Sequence, residues 1–210
     1  MDMSAPAPLD RDRIVAAAVT MLERDGVAGL SMRKLAAELG TKPMSIYHHV
    51  PNKSALLSLA LSEIAAHIPW EPPAGAPRER MIHIAMDMYL KLTDIPWIVA
   101  ILREGTNVGT PALALADQFI TAANELGLDD QRALNLWRGV WYLVSSELQW
   151  HDSVAHRTDE QRSWYETIDP DSVAALPAVA RILPDWRGYS AGFDLREAIT
   201  AQIDGAITSE

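Results

Sequence analysis

At 210 residues, 49% of them hydrophobic, the chain is long enough to bury the core of one large domain or two small ones. It contains no cysteine, which excludes a disulfide framework and a cysteine-ligated zinc module and leaves the fold to side-chain packing. The net charge of −10 is uneven: residues 1–60 hold 7 Lys/Arg against 6 Asp/Glu, whereas residues 61–210 hold 11 against 22. Between residues 31 and 53, Arg33, Lys34, Lys42 and Lys53 are opposed by Glu38 alone, a locally cationic element on an acidic body. That permits docking on phosphates without demanding it. The start, Met1 to Pro8, lacks a basic segment followed by an apolar run, and no 18-residue uncharged apolar stretch follows. A cytoplasmic protein with no membrane segment is expected.

Alternating Val/Ile/Thr/aromatic runs are nearly absent, while apolar residues recur at intervals of three and four almost throughout, so the class is all-α. A first helix starts at Asp10, an N-cap residue type, carries Ile14, Ala17, Ala18, Met21 and Leu22 on one face, and stops at Gly26. Ser31 caps a second helix with Met32, Leu35, Ala36 and Leu39 inward, ending at Gly40. After a three-residue turn, Pro43 suits the first position of a short third helix that Pro51 closes. Asn52 caps a fourth, Leu/Ala-rich helix running towards His67. The stretch from Pro69 to Pro77, with four prolines and a glycine, reads as a linker and sets the division: residues 1–68 and residues 69–210. Further helices are expected at about 78–93, 95–104, 111–126 and 129–151, then short helices and loops over 152–192, then a final helix at about 194–207.

The stretch Leu30 to Val50 has the logic of a helix-turn-helix. Two helices cross steeply when the first offers a small side chain at the crossing, the turn accepts a left-handed residue, and the second inserts an apolar anchor. Ala36, Gly40 and Ile46 supply these in order. The second helix is then free to enter a major groove with its N-terminal residues at the base edges.

Leu30-Ser31-Met32-Arg33-Lys34-Leu35-Ala36, then Gly40, then Ile46-Tyr47-His48-His49-Val50-Pro51-Asn52-Lys53-Ser54-Ala55-Leu56 resemble the tetracycline-repressor family. The motif evidence spans about residues 10–60; beyond it the likeness is architectural. The resemblance implies a helix-turn-helix head joined by helix 4 to a larger helical domain for ligand binding and dimerisation. It implies phosphate contacts from Tyr47, His48 and Lys53, with backbone N–H groups at Ser31 adding another. It implies base contacts from Lys42, Pro43, Met44 and Ser45 at the start of the recognition helix, and from Arg33, which would prefer guanine. The competing, less favoured reading makes Arg33 and Lys34 simply solvated helix residues. His48 and His49 point about 100° apart on a helix, so no metal site is expected there.

All 7 tryptophans lie outside the head. Stripes such as Met81, Ile84, Ala85, Met88 and Leu92, or Trp137, Val140, Trp141, Val144 and Leu148, are core by default. Some members are also candidates to wall a cavity for an apolar or aromatic effector: Met88, Trp97, Ile101, Phe119, Trp137 and Trp141, with His83, Asp87, Arg103, Asn107 and His151 as candidate polar anchors. Tetracycline-binding members of the family use a histidine and magnesium after the sixth helix; Arg103 to Pro111 offers no histidine, so a different effector is expected. Helices 129–151 and 194–207 have the apolar faces to build a dimer bundle, and a homodimer reading a palindromic operator in double-stranded DNA follows. The final helix could instead complete the chain's own core. No Gly-x-Ser-x-Gly, His-Glu-x-x-His, Gly-x-Gly-x-x-Gly or Walker loop occurs, so neither an enzyme nor a cofactor is expected. The rival that stays open is an architectural DNA-binding protein without ligand control.

Overall fold

The computed structural model describes residues 9–95, 97–102, 112–157 and 162–208. Among them there are helices and turns and no strand. The first helix, α1 (Arg11–Gly29), begins where Asp10 accepts a hydrogen bond from the Arg13 N–H at 2.8 Å. Gly26, at φ 66° and ψ −178°, interrupts it at the expected stop, and one further turn follows. The next helix, α2 (Met32–Glu38), is capped by the Ser31 hydroxyl, which accepts from the Lys34 N–H at 3.2 Å. Its end is sealed by two bonds, Gly40 N–H to Ala37 O at 3.1 Å and Thr41 N–H to Ala36 O at 2.9 Å. This pairing places residue 40 in the left-handed region, φ 66°, which glycine enters without a Cβ clash. Helix α3 (Pro43–Tyr47) has Pro43 in its first turn, and α4 (Lys53–His67) opens where Asn52 accepts from the Ala55 N–H at 2.8 Å.

These four helices share a small core. α1 packs on α2 and α4, and α2 on α3, burying Ile14, Ala18, Met21, Leu35, Ala36, Ile46, Val50 and Leu57. Loss of a cap at α4 leaves a helix N–H without its partner, so Asn52→Ala is expected to cost about 1 kcal/mol of stability. Denaturant titration of the full chain checks this; an unchanged midpoint would mean that water replaces the cap.

The remaining described helices are α5 (Pro77–Thr93), α6 (Ile98–Leu102), α7 (Ala112–Glu125), α8 (Asp130–Ala155), α9 (Trp164–Thr167), α10 (Pro177–Ile182), α11 (Trp186–Ala191) and α12 (Leu195–Thr208). α5 lies against α7, α8 and α12, and α8 against α7, α6 and α12. Two bounds differ from expectation. α6 starts at Ile98 and not at 95, because the bond from Ile98 N–H to Ile95 O at 3.0 Å belongs to the turn entering it. α8 runs on to Ala155, since neither glycine nor proline interrupts Asp152 to Ala155, and it ends where the His156 N–H meets Asp152 O at 3.1 Å.

The final helix serves this chain's own core. Leu195, Ile199 and Ile203 are buried in this chain's own core against α5 and α8. Arg78 on α5 clamps Asp204 with two bonds of 2.6 and 2.9 Å, which holds that carboxyl below the usual range, and Arg132 on α8 donates to Ala206 O at 2.8 Å. At the α8 crossing, the Gln202 side chain lies over Gly139, where a Cβ would fall 1.9 Å from its Nε2 and displace it. The apolar stripe expected to face a second subunit is thus largely used within the monomer. No described helix is long and apolar enough to cross a membrane.

Candidate nucleic-acid interface

The short α3 divides its side chains cleanly. Ile46 is fully buried and Val50, just past its end, joins it, while Met44, Tyr47 and His48 stand outward, with Met44 66% exposed. Arg33 on α2 and Lys42 at the α3 cap are exposed and enter no ion pair among the described residues. Arg24 makes the contrast: its guanidinium binds Glu38 and Asp25, each at 2.9 Å. Those bonds, Glu38's foremost, raise the pKa of Arg24, and the same contacts push both carboxyls below their usual range. Glu38 is the one acid between residues 31 and 53, and Arg24 engages it; Lys34 is close enough to Asp25 to help lower that carboxyl, while Arg33 and Lys42 form no ion pair among the described residues.

The candidate base-reading residues separate into exposed Arg33, Lys42 and Met44 and half-buried Pro43 and Ser45. Of the candidate phosphate residues, Tyr47 and His48 are exposed. Ser31 is engaged as an N-cap but keeps its hydroxyl proton to donate. The Lys53 ammonium donates to Val27 O at 2.9 Å, across to the broken end of α1, so one of its three donors serves the fold.

In the body, Met88, Trp97, Ile101 and Phe119 are buried and Trp137 and Trp141 half-buried. Phe119 meets Trp137 with ring centroids 5.3 Å apart at 55°. Arg103 and Asn107 lie outside the described residues. One cleft of about 540 Å³ sits where head and body meet, lined by Leu22 and Gly26 of α1, Ile64 of α4, Ile95, Trp97 and His156. A second recess of about 530 Å³ opens at the end of α8. Of the six expected wall residues, Trp97 lines the first and none lines the second.

Sequence reasoning missed the tie between the linker and α5. Asp87, 9% exposed, binds Lys91 Nζ at 2.6 Å and accepts from the Glu71 N–H at 3.2 Å. Lys91 also donates to Pro69 O at 2.5 Å and sits 5.7 Å from the Trp70 ring, whose indole N–H donates to Ala65 O at 2.9 Å. Glu71, His83 and Asp87 bring ligand-type atoms within 4.8 Å of one another, but Lys91 already supplies Asp87 with a counter-ion, so the group is a structural tie. The i,i+4 spacing of Asp87 and Lys91 was its one local signal.

Residues 14–60 match the family model of bacterial regulatory proteins of the tetR family. The chain is 35% identical over 130 residues to the HTH-type transcriptional repressor DrrR1 of Streptomyces coeruleorubidus, covering 60% of this chain and 47% of that protein. It is 38% identical over 116 residues to an HTH-type transcriptional regulator of Saccharopolyspora erythraea, covering 55% and 49%. In both matches the chain spans about half the length of the curated relative. It is 26% identical over 174 residues to the class D tetracycline repressor protein of Escherichia coli, covering 78% and 77%. Among solved structures, ActR of Streptomyces coelicolor bound to actinorhodin shares the fold at a TM-score of 0.75 and 22% identity, covering 97% of this chain and 100% of ActR.

Proposed function

We propose that this chain, a transcriptional regulator of the tetR family, acts as a homodimeric repressor that leaves a palindromic operator when a small apolar or aromatic effector other than tetracycline binds its body. The observation that carries the reading is the outward set of Arg33, Lys42, Met44 and Tyr47 on a helix-turn-helix whose first helix pair is closed by the Ser31 cap and the Gly40 turn, beside an Arg24 spent on internal bonds. Residues 1–68 make the reading head and residues 69–210 the effector and dimer domain. Exposed apolar residues Leu134 and Tyr142 on α8 and the open surface at Gly205 on α12 support pairing of these two helices with their copies. Two heads about 34–36 Å apart, one helical turn of DNA, then read matching half-sites.

Effector control is a population shift. A ligand among the α5, α7 and α8 side chains, with Met88, Phe119, Trp137 and Trp141 nearest, moves α5, and α5 moves the linker that Lys91 and Asp87 hold to it. Only a ligand that binds the released arrangement more tightly achieves this, and a coupling of about 1–3 kcal/mol suffices. ActR, in its complex with actinorhodin, is an example of this fold holding a small molecule.

Selection from random duplex DNA at fixed salt, followed by sequencing, tests the reading. The wild type is expected to enrich one palindrome. Arg33→Ala is expected to relax preference at one position of each half-site, by about 1–3 kcal/mol for a lost bidentate base contact. Tyr47→Phe is expected to weaken all sequences alike, as loss of a phosphate contact does. No enrichment by the wild type, with or without candidate effectors, would sink the proposal.

A further inference from the structure

The recess at the end of α8 shares no residue with the reading head or the expected effector wall. Its walls are aromatic: Trp150 from α8, Trp164 and Tyr165 from α9, Trp186 from α11, and Phe193 before α12. Trp164 meets Trp186 edge-on, with centroids 4.8 Å apart at 71°, and meets Tyr165 at 5.8 Å and 82°. Edge-on packing of Trp164 against Trp186 and Tyr165 holds these rings in place, Trp150, Trp164 and Phe193 stay about half exposed, and ring faces carry negative potential. The volume, about 530 Å³, is that of a site for a drug-sized molecule.

The remaining wall carries one acid, Glu147, and one base, Arg157. Glu147 lines the recess half-buried and makes no ion pair or hydrogen bond among the described residues. Burial pushes its carboxyl upward, while His151, the one charge felt there, pulls it back. Arg157 stands exposed at the rim and donates a guanidinium N–H to the neutral Ser163 hydroxyl at 2.5 Å; it keeps its charge there but is not among the charges that act on Glu147. Beside Glu147 itself, a neutral apolar occupant would bury the carboxylate further without a partner and an anion would be repelled by it, whereas the Arg157 charge acts at the rim. A cation satisfies the carboxylate and the rings together.

We propose that this recess, with Glu147 as counter-ion and Trp150, Trp164, Tyr165, Trp186 and Phe193 as ring faces, binds an organic ammonium cation of aromatic or quaternary type. The inference goes beyond the repressor reading and does not depend on it, because binding is measured without DNA.

The test is calorimetric titration of the full-length protein with benzyltrimethylammonium and, separately, with its neutral carbon isostere neopentylbenzene. The cation is expected to bind about tenfold or more tightly than the isostere, the scale of a partly desolvated cation–π and ion-pair contact. Glu147→Gln, which keeps shape and removes charge, is expected to lower affinity for the cation about tenfold and leave the isostere unchanged. Trp164→Ala is expected to weaken the cation as well, with far-UV helicity and melting of both variants serving as the folding control. Equal affinity for the isostere, an unaltered Glu147→Gln variant, or no heat with the cation would overturn the proposal. So would a drop in sedimenting mass of either variant, which would make the recess a contact between copies of this chain.

Discussion

Ile46→Ala is expected to remove operator binding while leaving the body folded. Ile46 is fully buried and is the apolar anchor of α3, a helix of five residues that is far too short to persist unsupported. Truncating a buried isoleucine costs about 2–5 kcal/mol, a large share of the stability of so small a core. The outward set on α3, Met44 and Tyr47, would then lose its fixed relation to Arg33 on α2. Gel-shift affinity is expected to fall by two orders of magnitude or more, about 2.7 kcal/mol, with little change in total helicity. Ile46→Val, which costs about 0.5–1.5 kcal/mol, is expected to retain most binding. Wild-type affinity in Ile46→Ala would mean that α3 is held by its caps and turn alone.

Phe119→Ala probes the body in the same way and decides what that ring is for. Phe119 is fully buried between α7 and α8 against Trp137. A phenylalanine packed as core costs about 3–5 kcal/mol on truncation, and a chain of this size loses about 2–4 °C in melting midpoint per kcal/mol. A large downward shift in the thermal midpoint is therefore expected. A cost under about 1.5 kcal/mol would instead show slack beside the ring, as a ligand wall provides and a close-packed core does not.

What the sequence disclosed was chemistry that acts over short range. Asp10, Ser31 and Asn52 cap the helices they were expected to cap, because each bonds an N–H three residues on. Gly40 and Pro43 fix the turn between α2 and α3 for the same reason of local geometry. The periodicity of α5, α7 and α8 was plain because each buries a full stripe. The short α9, α10 and α11 bury no residue of their own, so their helical spacing left almost no apolar signature. The aromatic recess was invisible for a different reason: Glu147 and Phe193 stand 46 positions apart and meet only after the chain has turned several times. Lys53 illustrates the limit at a single residue. Its place after Asn52 suggested a phosphate, and nothing local points to the Val27 carbonyl 26 residues earlier.

That bond and the Lys91 tie together give α4 the properties of a lever. Its 15 residues make an arm of about 22 Å at 1.5 Å per residue. Lys53 at the near end fixes the arm to α1, and Lys91 holds Pro69, just past the far end, to α5. For an arm of that length turning as a rod about its Lys53 end, a sideways step of about 1 Å at the Pro69 end corresponds to a rotation of roughly 3°.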